Sequence, residues 1–298
     1  MPFDPRTLID PAFFSRLESM ELRARAIVEG SMHGMHRSPF LGMSSEFATH
    51  REYAPGDDLR HLNWMLYARH DRLYVKEYDA ETNLNLHLLV DASASMACAN
   101  SGRSKLHYAA SLAAAVAHLA LKQGDAVGLT LFADRVISHI APRARANQLE
   151  VVLAAIAGAE ARPATDSDRA LHEAAAMTGR RGMVVLLGDL FGDLPAIVGG
   201  LDHLRYLNHE VIVFHILDPY ERDLSVDGHI RFRDLETGEA LTTQAEGIRD
   251  AYLEAVADWR RTLEAECRRR SIDRIELITT EPPDRALLQY LARRSKTS

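Results

Sequence analysis

The spacing of apolar positions changes near residue 80 of the 298. Before that point Leu17, Leu22, Ile27 and Val28 stand among Arg23, Arg25 and Glu29, a spacing that predicts an amphipathic helix ending near Gly30. From residue 84 onward short apolar runs alternate with helical stretches, the pattern of a parallel sheet covered on both faces. NLNLHLLV is the first strand, and KLHYAASLAAAVAHLALKQG, apolar nearly all round and closed by Gly124, is a buried helix. AVGLTLFA is a second strand, with RVISHIAP beside it as a short edge strand ending at Pro142. NQLEVVLAAIAGA follows as a helix with Asn147 at its N-cap, then the helix DSDRALHEAAAMTGR. The strand GMVVLLGD, a helix from about Pro195 to Leu207 and the strand EVIVFHILD continue the alternation. IRFRDLETGEALTT predicts a hairpin turning at Thr237 and Gly238. A long helix with Tyr252, Val256, Trp259 and Leu263 on one face, a strand at RIELIT and a terminal helix around Arg285 to Arg294 close the chain.

The expected fold class is therefore α/β, a doubly wound, mainly parallel sheet with helices on both faces over residues 81–298. A smaller N-terminal α+β segment precedes it over residues 1–80. With 47% hydrophobic residues the chain can bury one large core or two smaller ones. No apolar run approaches the roughly 20 residues needed to span a bilayer, and MPFDPRTLID lacks the basic and apolar regions of a secretion signal. A cytoplasmic protein without a membrane span is expected. The net charge of −7 argues against nucleic acid as a partner, and Arg268, Arg269 and Arg270 read as a solvated helix end. Cys98 and Cys267, far apart in the chain, are too few for a disulfide framework and form no CxxC pair for zinc, so they read as packing residues. His33 and His36 read as loop histidines with no third ligand near them in sequence.

In a doubly wound sheet the functional crevice lies beyond the carboxyl ends of the strands. Asp91, Ser93 and Ser95 follow the first strand, Thr165 and Asp166 lie in ARPATDSD, and Asp189 follows VVLLG. Each alone is explained as a helix cap. Together they offer carboxylates and hydroxyls from three loops of one edge, with no sulfur or imidazole. Hard oxygen donors suit Mg²⁺, with Mn²⁺ or Ca²⁺ as substitutes. A haloacid-dehalogenase-type phosphatase needs a second carboxylate two residues after the first, where this chain has Ser93. The G-x-S-x-G elbow and the Walker loop are missing too.

DASAS after the first strand, a later threonine loop and an aspartate after a following strand resemble the metal-ion-dependent adhesion site of von Willebrand factor A domains. That resemblance implies a Rossmann-like sheet in which Ser93, Ser95 and Thr165 offer hydroxyls to the metal, while Asp91 and Asp189 hold it directly or through water. The segment EFATHREYAPGDDLRHLNWMLYARHDRLYVKEYDAET resembles domain of unknown function family 58, which joins such a segment to a von Willebrand A-like fold. Read from the residues alone, Pro55 and Gly56 make a turn, Asp57 or Asp58 caps the helical stretch around Trp64, and Arg51, Arg60 and Arg69 are scaffold. RLYVKEYDAE is a strand leading into the sheet.

The expected function is that of a metal-dependent protein-interaction module, not an enzyme, whose partner completes the metal's shell with an Asp or Glu. The family resemblance implies a MoxR-type AAA+ ATPase as partner, in assembly or maturation of other proteins. Two other readings stay open: a metal-dependent phosphatase or esterase, and a metal-free scaffold. His87 within its strand and His172 within its helix read as ordinary structural residues.

Overall fold

The computed structural model describes residues 47–53, 63, 66, 67, 72–78, 84–100, 102–163, 167–179, 181–283, 285 and 287. The expected helix at Leu17 to Val28, His33, His36, the turn at Pro55 with Asp57, Asp58 and Trp64, both Thr165 and Asp166, and most of the terminal helix lie outside them.

A six-stranded sheet forms the centre, with strand order β10-β7-β6-β3-β4-β5. Its members are β3 (Asn85–Asp91), β4 (Ala126–Phe132), β5 (Val136–Arg143), β6 (Met183–Gly188), β7 (Glu210–Leu217) and β10 (Asp273–Ile278). All neighbours are parallel except β4 and β5, so β5 is the antiparallel edge expected of RVISHIAP. Strands β3, β4, β6 and β7 are buried along nearly their whole length. That explains their continuous Val and Leu runs, since a parallel strand covered on both faces has no polar side to show.

Helix α1 (Lys105–Lys122) and α2 (Gln148–Ala157) cover one face, packing on Leu88, Val90, Leu129 and Phe214. Alanines at 109, 110, 113, 114, 115 and 117 are buried and let α1 lie close to the sheet. Ser104 starts that helix by accepting the His107 N–H at 3.1 Å. On the other face α3 (Ser167–Met177), α4 (Leu194–Tyr206) and the long α6 (Ala245–Arg269) pack on Leu89, Leu186 and Val213. Leu263 is fully buried there and Trp259 packs beside it, as the one-face spacing predicts. The α5 turn (Pro219–Asp223) follows β7, and β8 (His229–Arg233) pairs with β9 (Ala240–Gln244) in the expected hairpin, with Gly238 at φ +76°.

Three local expectations are corrected. Asn147 stands at the start of α2 but its side chain makes no capping bond. The neighbouring Gln148 is buried instead, and its amide donates to the carbonyls of Val127 and Ala141, tying α2 to the sheet. The RLYVKEYDAE strand, β2 (Tyr74–Tyr78), pairs antiparallel with β1 (Phe47–Glu52) as a separate two-stranded ribbon. His87 is buried as expected, but among the described residues its Nε2 has no hydrogen-bond partner.

The winding of the chain places the crevice. From β3 the chain moves to β4 and β5 on one side, then crosses back to β6, β7 and β10 on the other. The order therefore reverses between β3 and β6, and loops diverge there at the carboxyl ends of both strands. Asp91 ends β3 and Asp189 follows β6.

Candidate functional site

Adjacent parallel strands bring Asp91 and Asp189 together, with Val90 paired to Leu187 in the ladder. Gly188 makes the close approach possible: a Cβ there would sit 2.8 Å from the Asp91 Cβ and 3.1 Å from its Oδ2. Beyond β3 the chain turns tightly. Ser93 N–H donates to Asp91 Oδ1 at 2.8 Å, and a single 3-10 turn follows over Ala94–Ala97. Ala92 and Ala94 are buried, and the alternation directs the intervening hydroxyls to one side, where Ser93 Oγ and Ser95 Oγ lie 2.9 Å apart. The backbone of Arg162 runs beside this turn, bridging Ser93 and donating to the Ala92 carbonyl at 2.8 Å. Asp91, Ser93, Ser95 and Asp189 thus share one edge of the sheet, and Thr165 belongs to a stretch outside the described residues.

The two carboxylates have different surroundings. Asp189 Oδ2 accepts a hydrogen bond from Lys105 Nζ at 2.6 Å, and its Oδ1 accepts from Phe191 N–H at 3.1 Å. Lys105 is fully buried and also pairs with Glu221. Burial pulls the ammonium's pKa down, but Asp189 and Glu221 together outweigh it and hold the group above its ordinary range. Glu221 itself is raised, because burial exceeds the attraction of Lys105. Its second oxygen accepts Asp218 N–H at 2.9 Å, completing the capping box that starts α5. The Phe191 ring lies 5.3 Å from Lys105 Nζ and packs on Trp259 and His215.

Asp91 carries the strain of the site. Burial, then the charge of Asp189, push its carboxyl from 3.8 up to about 7, against the hydrogen bonds from Ser93 and the more distant Lys105. A buried carboxylate held beside a second one favours a cation, which relieves both desolvation and repulsion. The donor set beside it is oxygen from Asp91, Ser93 and Ser95, so the residues present fit a hard divalent ion such as Mg²⁺.

A further carboxylate reaches this edge from far along the chain. Glu236, at the tip of the β8–β9 hairpin, accepts the Ser95 N–H at 2.7 Å. Asp234 shapes the tip, accepting Glu236 N–H at 2.8 Å and the Thr237 hydroxyl at 2.8 Å. Lys105, Glu221 and Glu236 were not among the site residues expected from sequence. Lys105 did carry a local signal, since a cation on the first residue of a helix opposes the helix dipole and needs another reason to be there. The Asp-x-x-Glu spacing of residues 218–221 is a legible cap, but nothing in it points to Lys105.

Fold and edge define an α/β protein with an oxygen-rich, acid-bearing site at the switch point of its sheet. The chain belongs to the family described as Protein of unknown function DUF58, which matches residues 49–262. It is similar to uncharacterized proteins Mb1516 of Mycobacterium bovis and Rv1480 of Mycobacterium tuberculosis. Each is 28% identical over 254 residues, covering 83% of this chain and 79% of the relative. Among solved structures it is similar to the conserved hypothetical protein BatB from Bacteroides thetaiotaomicron, at TM-score 0.46 and 17% identity over 72% of this chain and 99% of that one. An aerotolerance-related membrane protein from Bacteroides fragilis matches at TM-score 0.43 and 16% identity, over 72% of this chain and 100% of that one. No helix among the described residues is long and apolar enough to cross a membrane.

Proposed function

We propose that this chain is a cytoplasmic protein-interaction module that recognises an acidic side chain on a partner at the Asp91–Ser93–Ser95 edge. The observation that carries this reading is the hydrogen bond from Ser95 N–H to Glu236: the edge already receives a carboxylate, supplied by its own hairpin. In the proposal Glu236 stands where a partner's Asp or Glu docks, and docking displaces it. Asp91, Ser93 and Ser95 hold a Mg²⁺ ion, with Thr165 and Asp189 completing the donor set of a von Willebrand A-type adhesion site. The ion supplies positive charge toward the incoming acid. Lys105 keeps Asp189 in place from the buried side, and the Ser95 N–H orients the acid's oxygen.

The partner class in this reading is a MoxR-type AAA+ ATPase, with this chain as adaptor in assembly or maturation of other proteins. The test is capture of partners from the native host by the full chain, with and without chelator. Chelator-sensitive retention of an AAA+ ATPase, lost in Asp91→Ala, is the expected result. Retention indifferent to both chelator and Asp91 contradicts the proposal.

One observation favours a second reading, hydrolysis. A carboxyl standing at about 7 is suited to general-base work. Against it, Asp91 Oδ1 is engaged by the Ser93 N–H and the carboxyl is packed on Gly188. Phosphatase or esterase turnover that disappears in Asp91→Ala would establish this alternative.

A further inference from the structure

Away from the sheet edge, α3 and α4 pack against each other through a pair of glycines. Helix α4 carries Gly199 and Gly200 in its interior, although glycine is a poor helix former. The reason is contact: a Cβ at 200 would sit 2.5 Å from the Leu171 side chain, and one at 199 would sit 3.3 Å from His172 Nε2. Leu171 is buried in the core beneath, so the glycines let α3 settle against α4. The same approach brings His172 of α3 to His203 of α4. Their Nδ1 atoms are 3.3 Å apart, with ring centroids at 5.4 Å and planes inclined by 37°. His172 is exposed and His203 half-buried, so solvent and its ions reach the pair.

We propose that His172 and His203 form a two-imidazole site for a borderline transition-metal ion of the zinc class, bridging α3 and α4. Zn–N bonds of about 2.0–2.1 Å opening at a tetrahedral angle put two ligand nitrogens roughly 3.3 Å apart, which is the spacing observed here. In the ion's absence one ring donates its N–H to the other. With the ion bound, the donor ring moves that proton to Nε2 and both Nδ1 lone pairs face the metal. No group of three or more His, Cys, Asp or Glu side chains suited to a metal occurs among the described residues, and in the proposal water completes the ion's coordination. Imidazole separates this site from the oxygen-donor edge: a hard ion such as Mg²⁺ prefers oxygen, and zinc, copper or nickel accept nitrogen. Helix α3 follows the Thr165-bearing stretch and α4 begins five residues after Asp189. The clamp thus joins the two helices that leave the loops of the proposed recognition edge, but its own existence does not depend on that edge binding anything.

The test is calorimetric titration of Zn²⁺ into the full chain with Mg²⁺ in excess, repeated with His172→Asn and His203→Gln. One zinc equivalent that each substitution weakens about tenfold or more supports the site. Zinc binding of equal strength in all three proteins, or none in the wild type, overturns it. The wild-type chain also gives a reading free of any folding defect, because zinc should shield His172 and His203 from acylation by diethyl pyrocarbonate, located by mass spectrometry. Acylation of both residues unchanged by zinc overturns the proposal.

Discussion

The two ends of the central sheet handle their buried polar groups differently. At the amino end, His209 lies between Thr178 Oγ1 at 2.8 Å and Gly182 N–H at 3.1 Å, and Asp125 accepts Leu84 N–H at 3.2 Å. These partners are 27 to 41 residues apart in sequence, and each bond pairs groups beside the starts of the strands. At the carboxyl end, contacts reach across 84, 116 and 141 residues: Lys105 to Asp189, Lys105 to Glu221, and Ser95 to Glu236. There Asp91, Asp189, Glu221 and Glu236 gather with the Lys105 ammonium among them, and Asp91 is left beside a like charge. One end holds the strands together. The other concentrates charge that a visiting cation and acid could rebalance, which is the behaviour expected of a site rather than of scaffolding.

The largest expected effect that sharpens this contrast is at Lys105. Replacing it with Met leaves Asp189 buried without its cation, and breaking such a pair by removing one partner costs about 3–5 kcal/mol. Urea unfolding measures the loss, and a change below about 1 kcal/mol would mean that water reaches this pair freely. Next comes Gly188→Ala, whose new methyl presses on Asp91. Overpacking of this kind costs about 1–3 kcal/mol, and it should weaken Mg²⁺ binding in calorimetry while Lys105 keeps its partners. Full Mg²⁺ affinity in that variant would show that Asp91 need not sit where it does.

At the amino end the test is pH. Burial, then the charges of His209 and His139, lower the His87 pKa from 6.5 to about 4. A base whose folded pKa lies below its unfolded value contributes stability that is complete above about 6.5 and lost as pH falls toward 4. The wild type should therefore lose about 2 kcal/mol relative to His87→Leu between pH 7 and 4.5. Comparing the two proteins cancels the opposing contributions of Asp91 and Asp125, whose pKa values are raised. A difference that stays flat across this range would contradict a buried, neutral His87. The smallest change in stability belongs to Glu236→Gln, at less than about 1 kcal/mol for a half-exposed group. Its informative readout is binding: an acidic peptide should bind this variant more tightly than wild type, because the amide competes less well for the edge. Unchanged peptide affinity would remove Glu236 as a stand-in for the partner.

Much of the acid-bearing edge was legible in sequence because the rule that locates it is local. Asp91 and Asp189 each end an uninterrupted apolar strand, and the Ala residues between Ser93 and Ser95 mark a tight turn. The sheet itself was legible for the same reason, since strands buried on both faces spell themselves as continuous Val and Leu runs. What escaped depends on distance. Lys105 lies 84 residues from Asp189, and only the assembled fold shows that the first turn of α1 points at the end of β6. Glu236 reads as one more acid in a hairpin turn until the fold lays that hairpin over Ser95. The role of Gly199 and Gly200 is likewise invisible until α3 is placed against α4. His87 illustrates the opposite failure: burial was legible, but the lack of a partner for Nε2 among the described residues was not.

The proposed function rests on Asp91, Ser93 and Ser95 together holding a divalent cation. Its most direct test is calorimetric titration of Mg²⁺ into the metal-stripped full chain, in parallel with Asp91→Ala and the double variant Ser93→Ala with Ser95→Ala. One equivalent should bind to the wild type, none to Asp91→Ala, and binding to the double variant should be clearly weakened. Equal heats from wild type and Asp91→Ala would contradict it.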